Sequence, residues 1–211
     1  PTPIATSPTA SIQFISLQLD SPLASSAAAR TIAFGSTGPG DIIVTAKVVT
    51  PSTTASICLK AGTQAPTCRK GSGTISFKGH ASGATGAWTV TAIGDAASAP
   101  DVDLTITWPA KTPRLTLTNF RLDGAGEGTL NGFTAVLTAR GNGNLTTVLR
   151  ATGGTPKWDV LVQQSGDGSH DYSKAVVSSP ISKGHQYRVT VQNTATAGSK
   201  PITLSGTLAW V

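Results

Sequence analysis

The sequence predicts an all-β chain built as two tandem antiparallel β-sandwich domains of jelly-roll or immunoglobulin-like kind, preceded by an extended N-terminal arm. Three observations lead to that expectation. Ser11–Asp20 reads SIQFISLQLD and Arg114–Asp123 reads RLTLTNFRLD, so a shift of 103 places lays Ile12 on Leu115, Phe14 on Leu117, Leu17 on Phe120 and Leu19 on Leu122. The rest of the chain is a series of short runs rich in Val, Ile and Thr, fenced by Gly, Pro, Asp and Ser, which is the pattern of strands in a sandwich. Finally, a 211-residue chain with a repeat near half its length favours two units, each large enough for its own core.

Taken in order, positions 1–10 form the arm. Prolines at positions 1, 3 and 8, between Thr, Ser and Ala, favour an extended or polyproline-like segment over a helix. The first sandwich spans 11–110. In its opening strand the apolar alternation changes phase between Phe14 and Leu17, which predicts a bulge or a strand passing between two sheets, and Leu117 and Phe120 repeat that change. Strands follow in ARTIAFG, DIIVTAKVV, ASICLKA, GTISFKG, GAWTVTAI and VDLTITW. Only Ser21–Arg30 could pass for a helical turn, and it lacks a second apolar face.

WPAKTPR, Trp108–Arg114, marks the boundary, and its two prolines make it a stiff connection that fixes relative orientation. The second sandwich spans 111–211, with strands in GTLNGFTAVLTA, NLTTVLRA, KWDVLVQQ, SKAVVSS, HQYRVTVQN and ITLSGTLAWV. Asp41-Ile42 falls on Asn144-Leu145, and Ile57-Cys58-Leu59 on Val160-Leu161-Val162. With a slightly smaller shift Trp88 meets Tyr187, and the strand ending at Trp108 meets the one ending at Trp210.

The pattern G-x-W/Y-x-V-x-V followed by a closing strand, carried by GAWTVTAI with DVDLTITW and by GHQYRVTVQN with ITLSGTLAW, resembles the bacterial pre-peptidase C-terminal (PPC) domain. The resemblance covers most of both halves. It implies small jelly-roll-like sandwiches appended to secreted enzymes or surface proteins, with binding or spacing roles and no catalysis of their own. The cysteine hairpin of the first copy and the lack of any attached enzyme depart from the family pattern.

Composition bounds the function. Charged residues make up 12% of the chain and the formal net charge is +6. Lys60, Arg69, Lys70 and Lys78 gather around the cysteine hairpin, without a basic helix or an aromatic nucleic-acid signature, so a solvated basic face is expected and nucleic-acid binding is not. No apolar run reaches the length of a membrane span. The chain has no methionine and begins at Pro1, which leads us to expect a processed product whose leader has been removed. Cys58 and Cys68 flank a turn-rich segment, KAGTQAPT, and are expected to close a hairpin as a disulfide, placing the protein in an extracellular or cell-surface compartment. Too few ligands lie near them for zinc.

The residues suited to chemistry are sparse. His80, His170 and His185 sit in or beside glycine-containing turns, and no serine forms a recognisable triad with them. Asp101 and Asp103 lie two apart on one strand face, which reads more simply as an exposed strand start than as a glycosidase pair. The loop SGDGSHDYS, with Asp167, His170 and Asp171, offers oxygen ligands for Ca2+, yet it lacks the D-x-D-x-D spacing and reads as hairpin-turn chemistry; no metal or other cofactor is expected. Trp88, Tyr187, Trp108 and Trp210 recur at equivalent places and are read as core. Trp158 has no counterpart and is the free candidate for ligand contact, while Asn144-Leu145-Thr146 is an N-glycosylation sequon.

These observations favour a non-catalytic, secreted structural protein. Its arm, through Pro1, Pro3, Ile4 and Pro8 with Ile12 behind them, would dock on a neighbouring copy by strand addition or packing and build a filament or surface assembly. The principal partner is then the protein itself. The alternative is a tandem module of a secreted hydrolase that binds cell-surface glycans or another surface ligand.

Overall fold

The computed structural model describes residues 8–20, 29–83, 86–95, 99–123, 132–153, 158–164, 169–172, 176–195 and 199–211. Among these residues there is no helix, and the chain is an all-β sandwich of two antiparallel sheets. The first copy contributes β1 (Thr9–Gln18), β2 (Arg30–Ser36), β3 (Gly40–Val48), β4 (Ala55–Ala61), β5 (Thr67–Gly71), β6 (Thr74–Ala81), β7 (Gly86–Gly94) and β8 (Asp101–Pro109). The second contributes β9 (Arg114–Leu122), β10 (Gly132–Thr138), β11 (Gly143–Thr152), β12 (Trp158–Gln164), β13 (Ser169–Tyr172), β14 (Val176–Ile181), β15 (Gln186–Asn193) and β16 (Ile202–Ala209).

One sheet runs β13-β12-β15-β10-β1-β8-β3-β6 and the other β14-β11-β16-β9-β2-β7-β4-β5. Within each copy, four strands face four in jelly-roll order: β1-β8-β3-β6 against β2-β7-β4-β5, and β9-β16-β11-β14 against β10-β15-β12-β13. The copies then join edge to edge. β1 pairs with β10, with Phe14 opposite Ala135, and β2 pairs with β9, with Ile32 opposite Leu117. Replacing each strand of the first copy by its counterpart in the second turns one sheet order into the reverse of the other, so the two copies are related by a pseudo-twofold that exchanges the sheets.

The joining follows from the alternation of side chains. In β3, Ile42, Val44 and Ala46 face inward at 0% exposure, while Asp41 and Ile43 face out. Inward residues of both copies form one connected core. Phe14, Phe120 and Phe133 meet with centroids 5.2–6.1 Å apart, and all three sit where the copies adjoin.

The predicted phase change in the opening strand is a bulge in both copies. Register slips between Phe14 and Leu17, and Ser16 adopts a φ of 46°; Asn119, 103 places on, adopts 61°. Ser16 N donates to Asp103 Oδ1 at 2.9 Å, giving the displaced amide a partner that the ladder no longer supplies. At the seam Arg30 is buried, donating from Nε to Gln18 O at 3.0 Å and from Nη1 to Asn119 O at 3.1 Å, with its guanidinium over the Phe120 ring. It thereby ties the ends of both bulged strands together. Burial lowers its pKa, and the nearby Asp20 carboxylate acts in the opposite direction.

Thr9 and Ala10, expected in the arm, already belong to β1, because Ala10 is fully buried opposite Trp108. The segment Ser21–Arg30, read as a possible helical turn, lies outside the described residues except for its last two positions, and Arg30 opens β2.

Candidate functional site

The sandwich ends, on the side of the first copy, in β5 of one sheet and β6 of the other; each pairs with a single strand among the described residues. Between them opens a cleft of about 700 Å3. A short turn joins β5 to β6 at its closed end. There Arg69, on β5, bridges the gap by donating to Ser76 O at 2.6 Å and laying its guanidinium 5.2 Å from the Phe77 ring centroid. The mouth lies at the opposite end, by Thr67 and Ala81.

The floor of the cleft is core that the edges leave uncovered. Leu59, Phe77 and Trp88 line it and retain 7%, 5% and 9% exposure, whereas Val44, Val90 and Ile106 retain none. Two glycines set the position of the Trp88 ring. A Cβ at Gly79 would stand 2.9 Å from the ring, and one at Gly86 would stand 3.2 Å from its Nε1, so the indole rests directly on the β6 backbone.

Charge is gathered at the rim and is already paired. Lys78 Nζ lies 2.8 Å from Asp41 Oδ2, and His80 Nδ1 lies 3.2 Å from Asp41 Oδ1. Hydrogen bonding from Lys78, and next from His80, holds the Asp41 carboxyl below its usual range. The +4 of the four lysine and arginine side chains around the hairpin is thus partly cancelled, with Lys70 paired to Asp95 at 3.1 Å.

The second copy serves as an internal comparison. By strand register, Asp41 and His80 correspond to Asn144 and Pro180, and Lys78 to Ser178. Ala61 opposite Trp88 corresponds to Gln164 opposite Tyr187. In the second copy Tyr187 Oη accepts from Ser182 N at 2.8 Å and donates to Gln164 Oε1 at 3.1 Å, and Gln164 Nε2 lies 2.8 Å from His185 Nδ1. The position of small Ala61 in the first copy is thus held in the second by a glutamine engaged in a hydrogen-bonded network.

Cys58 and Cys68 form the expected disulfide, directly opposite each other in the β4–β5 register, and staple the hairpin that walls the cleft. The other predicted site residues are dispersed. Pro1, Pro3 and Ile4 lie outside the described residues, as do Asp167 and the side chains of His170 and Asp171. Pro8 is exposed, and its carbonyl accepts from Ala110 N at 2.8 Å. Ile12 is 1% exposed, an inward residue of β1 whose side chain cannot reach a neighbouring chain.

Trp158 is partly buried and packs against the core at the start of β12. Asn144 is exposed on β11, opposite Pro180. Asp101 and Asp103 share a face of β8. Desolvation and the neighbouring Asp103 charge push the Asp101 carboxyl up, and Asp103 is engaged by the bulge. Among the described residues no three His, Cys, Asp or Glu side chains gather as a metal site, and no helix is long and apolar enough to cross a membrane.

The cleft is not legible in the strand pattern alone, because Trp88 keeps the alternation of a core residue and Gly79 and Gly86 carry no side chain to show which way they face. Their joint signal is two glycines beside one tryptophan, on strands of different sheets. No family model matches the chain, and no curated protein matches it.

Proposed function

We propose that this protein is a non-catalytic structural subunit of an extracellular or cell-surface assembly, in which copies join through the ends of the sandwich and the N-terminal arm. The observation that carries the reading is the arrangement at one end of the molecule. Two edge strands flank an open cleft there, and at the same end of the strands Pro8 prolongs β1 beyond the fold.

Direct fusion of outer edges is disfavoured. Pro180 removes a donor from β14, and Arg69, Lys70 and Lys78 lie on β5 and β6, devices that keep three of the four outer edges from pairing at random. A specific linker is therefore required, and the arm supplies one. The disulfide supports an oxidising compartment. The jelly-roll order supports the resemblance to PPC domains, which belongs to this reading.

Negative-stain microscopy of the full chain at neutral pH tests the proposal. Long, regular polymers are expected; a field of separate small particles at every concentration would contradict it.

A further inference from the structure

We infer that the cleft between β5 and β6 is the acceptor for the arm: residues 1–7 of a second copy lie in it, with Ile4 as the anchor over Trp88 and Phe77. The inference rests on the assembly reading above and names its contact surface.

The chemistry of the two parts matches. Positions 1–8 contain three prolines, one large apolar side chain and no charged side chain. Such a segment is pre-extended, loses little entropy on docking and suits an aromatic-lined groove. The cleft offers Trp88, Phe77 and Leu59 as floor, and its volume is within the ordinary range for ligand clefts. Its polar rim is engaged: Arg69 by Ser76 O and the Phe77 ring, Lys78 and His80 by Asp41. A segment without charged side chains leaves those pairs intact, whereas an anionic glycan would have to compete with Asp41.

The assembly reading, rather than distance, assigns the arm to a second copy. Thr9 stands opposite Pro109, the β3–β8 register places Asp41 beside Pro109, and Asp41 stands opposite His80 at the cleft. Arm exit and cleft mouth are therefore on one row, three strands or about 14 Å apart. Pro8 bonds Ala110 in line with β1.

The test uses a chain beginning at Pro8, which keeps β1 whole, and a synthetic peptide PTPIATSPTA. Titration by calorimetry and tryptophan fluorescence, up to about 1 mM peptide, should give saturable binding at one site per chain. Binding should weaken at least tenfold with Ile4→Asp in the peptide and with Ala61→Trp in the protein, a cleft position on the same face of β4 as Leu59 where the second copy carries the larger Gln164. Absence of binding, or binding indifferent to both changes, would overturn the inference, as would a cellohexaose or alginate oligomer that binds the cleft while the peptide does not. A full chain that stays monomeric and refuses the peptide holds its own arm in the cleft, and that overturns exchange between copies.

The two proposals fail separately. Polymers of the full chain without peptide binding leave assembly standing and remove the cleft from it. Peptide binding with a closed, reciprocal dimer keeps the cleft and removes the filament.

Discussion

Trp108 and Trp210, which close equivalent strands of the two copies, meet edge to face with ring centroids 5.9 Å apart. Both are essentially buried, and Phe34 lies 5.2 Å from Trp108 on its other side. The contact fastens one copy to the other at the end of the seam where Pro109 and Pro113 connect them. Trp108→Ala or Trp210→Ala should each cost about 3–5 kcal/mol. The double variant should cost about 0.5–1.5 kcal/mol less than the sum, because the ring pair is lost once. Urea unfolding followed by circular dichroism checks this, and both copies should unfold in one transition because their sheets are continuous.

Gly206 sits beside the irregularity where β16 pairs with the bulged β9. A Cβ there would stand 2.0 Å from Val148 O and 2.8 Å from Leu149 Cα, both backbone atoms of the adjacent strand. Gly206→Ala must spread β11 from β16 and should destabilise by about 3 kcal/mol. Alanine at Gly73, which meets nothing within 4 Å, serves as the control and should change the urea midpoint little.

Replacing both cysteines by alanine opens the β4–β5 hairpin. The loss expected for a loop of this size is about 2–3 kcal/mol. Hydrogen exchange should rise first in β5, which has no second strand partner among the described residues. If the arm seats in the cleft, the same change should weaken peptide binding, since the stapled hairpin is one of its walls.

Two carboxylates give opposite dependences on pH. Lys78 and His80 lower the Asp41 pKa, so this group favours folding above the usual carboxylate range, and its contribution is lost as pH falls through the lowered value. Asp41 is exposed, so added salt should erase the effect. Asp101 is raised by desolvation and by Asp103, and its Oδ1 is buried without a hydrogen-bond partner. Its penalty is therefore full at neutral pH and disappears as pH falls below the unfolded carboxylate pKa. Asp101→Asn should raise the urea midpoint at pH 7, and the difference should vanish near pH 3.

Much of the fold was legible because a sandwich writes its inward face into every second residue. The repeat placed Ile57-Cys58-Leu59 on Val160-Leu161-Val162, and strand pairing gives the same correspondence: Cys58 and Leu161 stand opposite Thr91 and Thr190, which are related by the same smaller shift as Trp88 and Tyr187. The bulges were legible because a single extra residue reverses the alternation, as at Ser16 and Asn119. The joining of the copies was not, since a strand with partners on both sides, such as β1, carries the same apolar period as one at an edge. The cleft was hidden for a related reason. Its floor is built of residues that would be core if another strand covered them, and only the arrangement of edges leaves Trp88 within reach of solvent.

The most direct test of the account is the mass in solution of the full chain and of a chain beginning at Pro8, measured by multi-angle light scattering at matched concentrations. The account predicts polydisperse, high-mass polymers for the full chain and a monomer for the shortened one, whose fold is intact because β1 begins at Thr9. A monomer near 21.3 kDa in both cases would contradict it.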